Sequence, residues 1–150
     1  FKHPVKYITW AVQNKGTLGE NKGMGPCYFT SLTESNLYGT DGMTGTANIK
    51  FNGVTRTQEL PMIYYTRVYT NKYCNNIPAL DRIGFYSFSI RPFDHQPTGT
   101  CNMSKIREKT IELIISNKYL DQIKNKKLFV FGVNYNVFRI SHGISGLLFI

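Results

Sequence analysis

The sequence predicts an all-β domain of antiparallel sheets, and three observations carry that prediction. The first is composition: ten Tyr, ten Phe and 13 Gly, with many Thr, Ile and Val and few Ala, suit half-buried pleated surfaces joined by tight turns better than helices. The second is a period of two in the apolar residues of several short segments. The third is spacing. Six to eight such segments are separated by Gly, Asn, Asp and Pro, without the strand–helix alternation of a parallel sheet. Jelly-roll and immunoglobulin-like sandwiches both satisfy this pattern, and periodicity does not choose between them. At 150 residues one domain with an ordinary core is expected, with no room for a second full one.

Residues 5–13 ("VKYITWAVQ") place Ile8, Trp10 and Val12 on one face, with Lys6 on the same face near the strand start. That pattern predicts a strand with Trp10 in the core. Residues 14–25 hold four glycines and no apolar period, the mark of a long loop. Residues 27–32 ("CYFTSL") read as a short strand. The cleanest alternation is residues 47–52, with Ala47, Ile49 and Phe51 against Asn48, Lys50 and Asn52, ended by Gly53. From Glu59 the period changes: Pro61 suits a first helical turn, and Leu60, Ile63, Tyr64 and Val68 recur at helical spacing. A short helix is expected there, then an irregular segment through "NKYCNNIPALDRIG".

Tyr86, Phe88 and Ile90 form the next inward row, with Ser87 and Ser89 opposite and Pro92 as the stop. Residues 109–115 alternate Ile111, Leu113 and Ile115 against Thr110 and Glu112. A polar connection leads to residues 128–140 ("LFVFGVNYNVFRI"), expected as one long strand with a bulge or bend at Gly132. "GLLFI" closes the chain.

The net charge of +9, from 18 Lys and Arg against nine Asp and Glu, gives a field that attracts anionic surfaces. Only residues 124–127 ("KNKK") are densely basic, and no stretch interleaves aromatic and basic positions as single-strand binders do. Direct nucleic-acid binding is therefore not expected. Contact with an anionic membrane is an expectation resting on charge alone, to be checked by co-sedimentation with liposomes of varied anionic content. Cys27, Cys74 and Cys101 are too far apart for a C-x-x-C knuckle, and their odd number argues against a fully paired disulfide framework. A reducing compartment is the simpler expectation. No window approaches 18 consecutive apolar residues and no secretory leader pattern is present. The chain opens on Phe1, so a processed product or a piece of a longer polypeptide is expected.

Residues 85–106 pose the sharpest chemical question, because Asp94, His95 and Cys101 fall together after a strand. Catalysis would need a nucleophile, a base and a group orienting that base, yet neighbouring side chains of an extended segment point apart. An ordered corner is the preferred reading. Asp94, Thr98, Thr100 and Asn102 would bond to nearby backbone amides, with Pro92 and Pro97 fixing the course. A metal site of cupin type would need an H-x-H pair, and the chain offers only His3, His95 and His142, so neither metal nor cofactor is expected. His142, in "SHGISG", reads as a turn. Asn102-Met103-Ser104 is a formal glycosylation sequon, weak by itself. Phosphate-loop, nucleophile-elbow and zincin motifs are missing from the sequence. No catalytic, cofactor or metal residue is assigned, and no enzyme activity is expected.

Four blocks, "HPVKYITWAVQN" at 3–14, "ANIKFNG" at 47–53, "FYSFSIRPFDHQPTGTCNMSKI" at 85–106 and "VNYNVFRISHGISGL" at 133–147, resemble in content and order the major capsid proteins of the nucleocytoplasmic large DNA viruses. The resemblance implies an antiparallel jelly-roll sandwich, the second and C-terminal one of a double jelly-roll chain. It also implies a homotrimeric, pseudo-hexagonal capsomer tiling an icosahedral shell in the virion. Partners would be copies of itself, neighbouring capsomers and minor capsid proteins. The family's H-Q-P-[ST]-G-T-C-N block falls on His95 to Asn102 and, by the resemblance, links two strands without a catalytic role. The N-terminal jelly roll has no counterpart in these residues, and the loops after Gln13 and at residues 117–127 depart from the family pattern. The competing expectations are a jelly-roll carbohydrate-binding module, which a glycan array separates, and a cupin-type enzyme, which metal analysis separates.

Overall fold

A computed structural model describes residues 1–14, 45–74, 83–114 and 126–148. The strand expected at 27–32 lies outside the described residues, as do the loop at 15–25 and the connection at 115–125. The first sheet is centred on β1 (Pro4–Asn14). Along one edge of β1 runs β8 (Lys126–Asn134), antiparallel, with Trp10 opposite Val130. The other edge is shared by β5 (Ile83–Ser87), with Trp10 opposite Gly84, and by the two-residue β6 (Cys101–Asn102) beside Pro4 and Val5.

The second sheet is centred on β2 (Thr46–Phe51), flanked on one edge by β7 (Lys109–Ile114). Its other edge is taken by the short β3 (Val54–Thr55) and β4 (Leu60–Pro61). Asn52 and Gly53, both at positive φ, make the tight turn into β3, as the expected end at Gly53 requires. The third, separate sheet is a hairpin of β9 (Phe138–Ser141) and β10 (Ile144–Leu147). All the described sheets are antiparallel, as the composition and alternation predicted.

The inner faces of the two larger sheets meet in one core. Val5, Ile8, Trp10, Val12 and Tyr86 come from the first sheet, Ala47 and Ile49 from the second, and Met62, Tyr65 and Met103 from the helical turns. Trp10, at 0% exposure, is the core plug the sequence predicted. One parity does change. Ile8, Trp10 and Val12 are inward, but so is Val5, because the register with β8 shifts between Val5 and Tyr7. This bulge inserts one residue and flips the face at Lys6. The Lys6 ammonium thereby lies beside the rings of Tyr7 and Tyr135, 5.7 and 5.0 Å from their centroids.

The helical segment begins later than the spacing predicted. Leu60 and Pro61 are strand residues, followed by a π turn (Tyr64–Val68) that continues as α1 (Tyr69–Cys74). Ile63 and Val68, expected inward, are exposed, and Tyr65, Thr66 and Thr70 are buried instead. The reason is the wider turn: Tyr69 N–H bonds Tyr64 carbonyl five residues back, which advances the buried face relative to a 3.6-residue period. The buried threonine hydroxyls are satisfied by carbonyls of their own helix, Thr70 by Thr66 and Arg67 and Thr66 by Ile63. The helix packs on β5, with Tyr69 meeting Tyr86 on the inner side and Tyr73 meeting Phe85 on the outer.

On β2 the polar row is tied to β7. Asn48 Nδ2 donates to Glu112 Oε2 at 3.0 Å, and Lys50 Nζ to Glu112 Oε1 at 2.7 Å. The bond from Lys50 is the largest influence and, helped by that from Asn48, holds the Glu112 carboxyl below its ordinary value of 4.5 despite the opposing effect of desolvation. A depressed folded pKa contributes stability above the unfolded pKa and loses it as pH falls through the folded value. Urea denaturation between neutral pH and pH about 3 should therefore show an acid-side loss that is smaller in Glu112→Gln. Identical pH profiles would refute the assignment.

Candidate functional site

The corner at residues 88–100 is built by hydroxyl bonding; of the residues expected to bond backbone amides there, Thr98 does so, whereas Asp94 pairs with the Arg91 side chain. The ladder of β5 ends at Ser87, five residues before Pro92, because Ser87 Oγ bonds both the carbonyl (2.6 Å) and the N–H (3.1 Å) of Ser89 and bends the chain. Phe88 stays partly buried against the core, whereas Ile90, expected inward, is 76% exposed. Ser87 and Ser89, expected outward, are buried.

Thr98 ties the corner shut. Its hydroxyl donates to Arg91 carbonyl at 3.0 Å and accepts Arg91 N–H at 2.9 Å. Since that single proton is used, the 2.5 Å contact with Ser89 Oγ has Ser89 as donor, which fills both acceptor positions of Thr98. Thr98→Val should lower stability by about 1–3 kcal/mol, because Ser89 and Arg91 lose their partner. Thr98→Ser should recover most of it, and equal losses in chemical denaturation would show that packing, not bonding, is at stake.

The candidate catalytic residues do not form a relay. Asp94 is bound to Arg91 Nε at 3.1 Å instead of orienting an imidazole, and His95 is exposed. Cys101 lies opposite Val5 on β6, where burial pushes its thiol pKa up, partly offset by Arg56, opposite to what an activated nucleophile needs. Asn102 Oδ1 accepts Ser104 N–H at 3.1 Å, capping the single 3-10 turn Met103–Lys105. Nearby, His3 donates its N–H to Ser104 Oγ and its carbonyl accepts Met103 N–H. His142 starts the β9–β10 turn with Gly143, both at positive φ, and its Nδ1 is 2.9 Å from Ser141 Oγ. Among the described residues no three of His, Cys, Asp and Glu gather as metal ligands.

The informative surface is apolar, and the sequence pattern placed part of it in one long strand. The expected long strand at 128–140 breaks at residues 135–137. Gly132 is not a bulge: pairing with β1 is continuous there, and a Cβ would press on the Phe1 ring. Beyond the break, Phe138, Ile140, Ile144, Leu147 and Leu148 are all exposed. A second apolar area covers the outside of the first sheet. Tyr7 and Phe93 close over Phe85, while the stacked pair Phe129 and Phe131 continues that face on β8, with Phe93 and Phe131 exposed.

The family model for the large eukaryotic DNA virus major capsid protein matches residues 1–146. The chain belongs to that family. Among curated capsid proteins, it is 37% identical over 103 residues to the major capsid protein of Phaeocystis pouchetii virus, a match covering 69% of this chain and 20% of that protein. It is 38% identical over 104 residues to that of Chrysochromulina ericina virus, covering 69% of this chain and 18% of that protein. The solved capsid chain of the PBCV-1 virus superposes with a TM-score of 0.74 at 23% identity, covering all of this chain and 44% of that one. That likeness makes the fold the capsid jelly roll and removes the immunoglobulin-like alternative. The matched region is thus about a fifth of the curated capsid proteins' length and under half of the solved chain. All three of these relatives are capsid proteins.

Proposed function

We propose that residues 1–150 are the C-terminal jelly roll of a longer double jelly-roll capsid protein, and that this protein trimerises into pseudo-hexagonal capsomers of an icosahedral shell. The match over residues 1–146 to the capsid family carries this reading. The small share of each relative that is matched supports a longer polypeptide. The geometry suits the role: two packed antiparallel sheets give a stiff block, and the exposed aromatic and aliphatic areas are of the kind that obligate oligomers bury. The partners are copies of itself, neighbouring capsomers and minor capsid proteins, and the setting is the virion shell, assembled in the host cytoplasm. No catalytic, cofactor or metal residue is assigned in this reading. Sedimentation and negative-stain imaging of the full-length product should show trimeric plates or shells. A folded protein that stays monomeric at high concentration would overturn the proposal.

A further inference from the structure

The sandwich is incompletely filled at one end. On β8 the inward row runs through Val130 to Gly132, which pair with the inward Trp10 and Ile8. On β7 it runs back from Ile111 to Lys109, which pair with Ile49 and Phe51. Both rows therefore lose their apolar side chain where they meet, one to a glycine and the other to a lysine. The Phe1 ring takes part of the space that Gly132 leaves, standing where a Cβ would be. Beside that ring a cavity of about 140 Å³ remains between the sheets. Ile8 and Val130 wall it on one side, and Ile49, Phe51 and Ile111 on the other. Phe1 and Lys109 also border it, and Phe1 is 54% exposed, so the cavity opens to solvent there.

An apolar cavity of this size stays dry and takes up small hydrocarbons, since about 150 Å³ is enough for benzene. Lys109 adds a second requirement. It is partly buried, and among the described residues no carboxylate lies within ion-pair distance of its ammonium. A lone cation at the mouth of an otherwise apolar space is complementary to one kind of guest, an aliphatic tail with a single negative group at its end. We propose that this cavity binds a short fatty acid of about six carbons, with its tail between the sheets and its carboxylate on the Lys109 ammonium. The site is separate from the exposed apolar areas on β8 and the last hairpin, and the inference does not depend on how the chain assembles.

Titration calorimetry of the full-length polypeptide with hexanoate and with 1-hexanol tests it. The wild type should take up one hexanoate per chain. Lys109→Gln should weaken hexanoate binding about tenfold, because the carboxylate loses a charged partner, and should leave hexanol binding unchanged. Lys109→Arg should restore the hexanoate affinity. From butanoate to hexanoate each added methylene should tighten binding about fourfold, and the gain should stop once the tail outgrows the cavity. A wild type that binds neither probe, as when another part of the longer polypeptide fills the space, would overturn the proposal. Hexanoate binding that survives Lys109→Gln unchanged would do the same. So would affinity that keeps rising with chain length, the sign of adsorption to the exposed apolar surface. Should Lys109→Gln fail to fold, the chain-length series on the wild type decides alone.

Discussion

Trp10→Ala is expected to lower the unfolding free energy by about 3–5 kcal/mol, the largest single effect of any substitution in the core. Trp10 is fully buried between the two sheets and meets Tyr65 edge-on at 5.5 Å. Truncation would remove that contact and open a cavity facing both β2 and the helical segment. Its indole Nε1 has no hydrogen-bond partner among the described residues, so the loss should come from volume and not from polarity. Trp10→Phe should accordingly be much milder than Trp10→Ala. Chemical denaturation of the three proteins tests this: equal losses for Phe and Ala would point to an unseen partner of the indole N–H.

Gly84→Ala should also be damaging, for the complementary reason. Gly84 stands opposite Trp10 in the β1–β5 register, and a Cβ built there would come far inside van der Waals contact with Cε2, Nε1 and Cζ2 of the indole. The obstruction is the rigid part of a buried side chain in a packed interior, so either the indole leaves its place or the strands separate. A loss of about 1–3 kcal/mol is expected, with failure to fold at the upper end. In the Trp10→Ala background the same change should be close to neutral, since the obstructing ring is gone and alanine suits a strand better than glycine. Additive losses in that cycle would show that the two positions do not act through each other.

The same pair shows why part of the design was legible in the sequence and part was not. Trp10 could be placed in the core from its alternation with Ile8 and Val12. Gly84 could not be assigned its role, because its need to be small comes from a residue 74 positions away. The corner at Thr98 lies between these cases. Its turn-forming content was visible locally, whereas the pairing of Asp94 with the Arg91 side chain was not. The burial of Ser87 and Ser89 depended on a bend created by their own hydroxyls, which a two-residue period does not register.

By itself the sequence determined that the chain forms antiparallel strands at residues 5–13, 47–51 and 109–114, that Trp10 is central, and that the ordered blocks resemble capsid proteins. These follow from local spacing and turn chemistry, since alternation states which side chains seek burial. The tertiary structure decided the inward turn of Val5, the phase of the helical face at Tyr65, and the fate of Phe138, Ile140 and Ile144. Each of those depends on a partner far away in the chain or outside it: β8 across the bulge, the core beneath the π turn, and whatever covers the last hairpin. Hydrophobic burial is indifferent to which surface supplies the cover, so an apolar pattern alone reads the same whether a strand enters its own core or is left for another molecule.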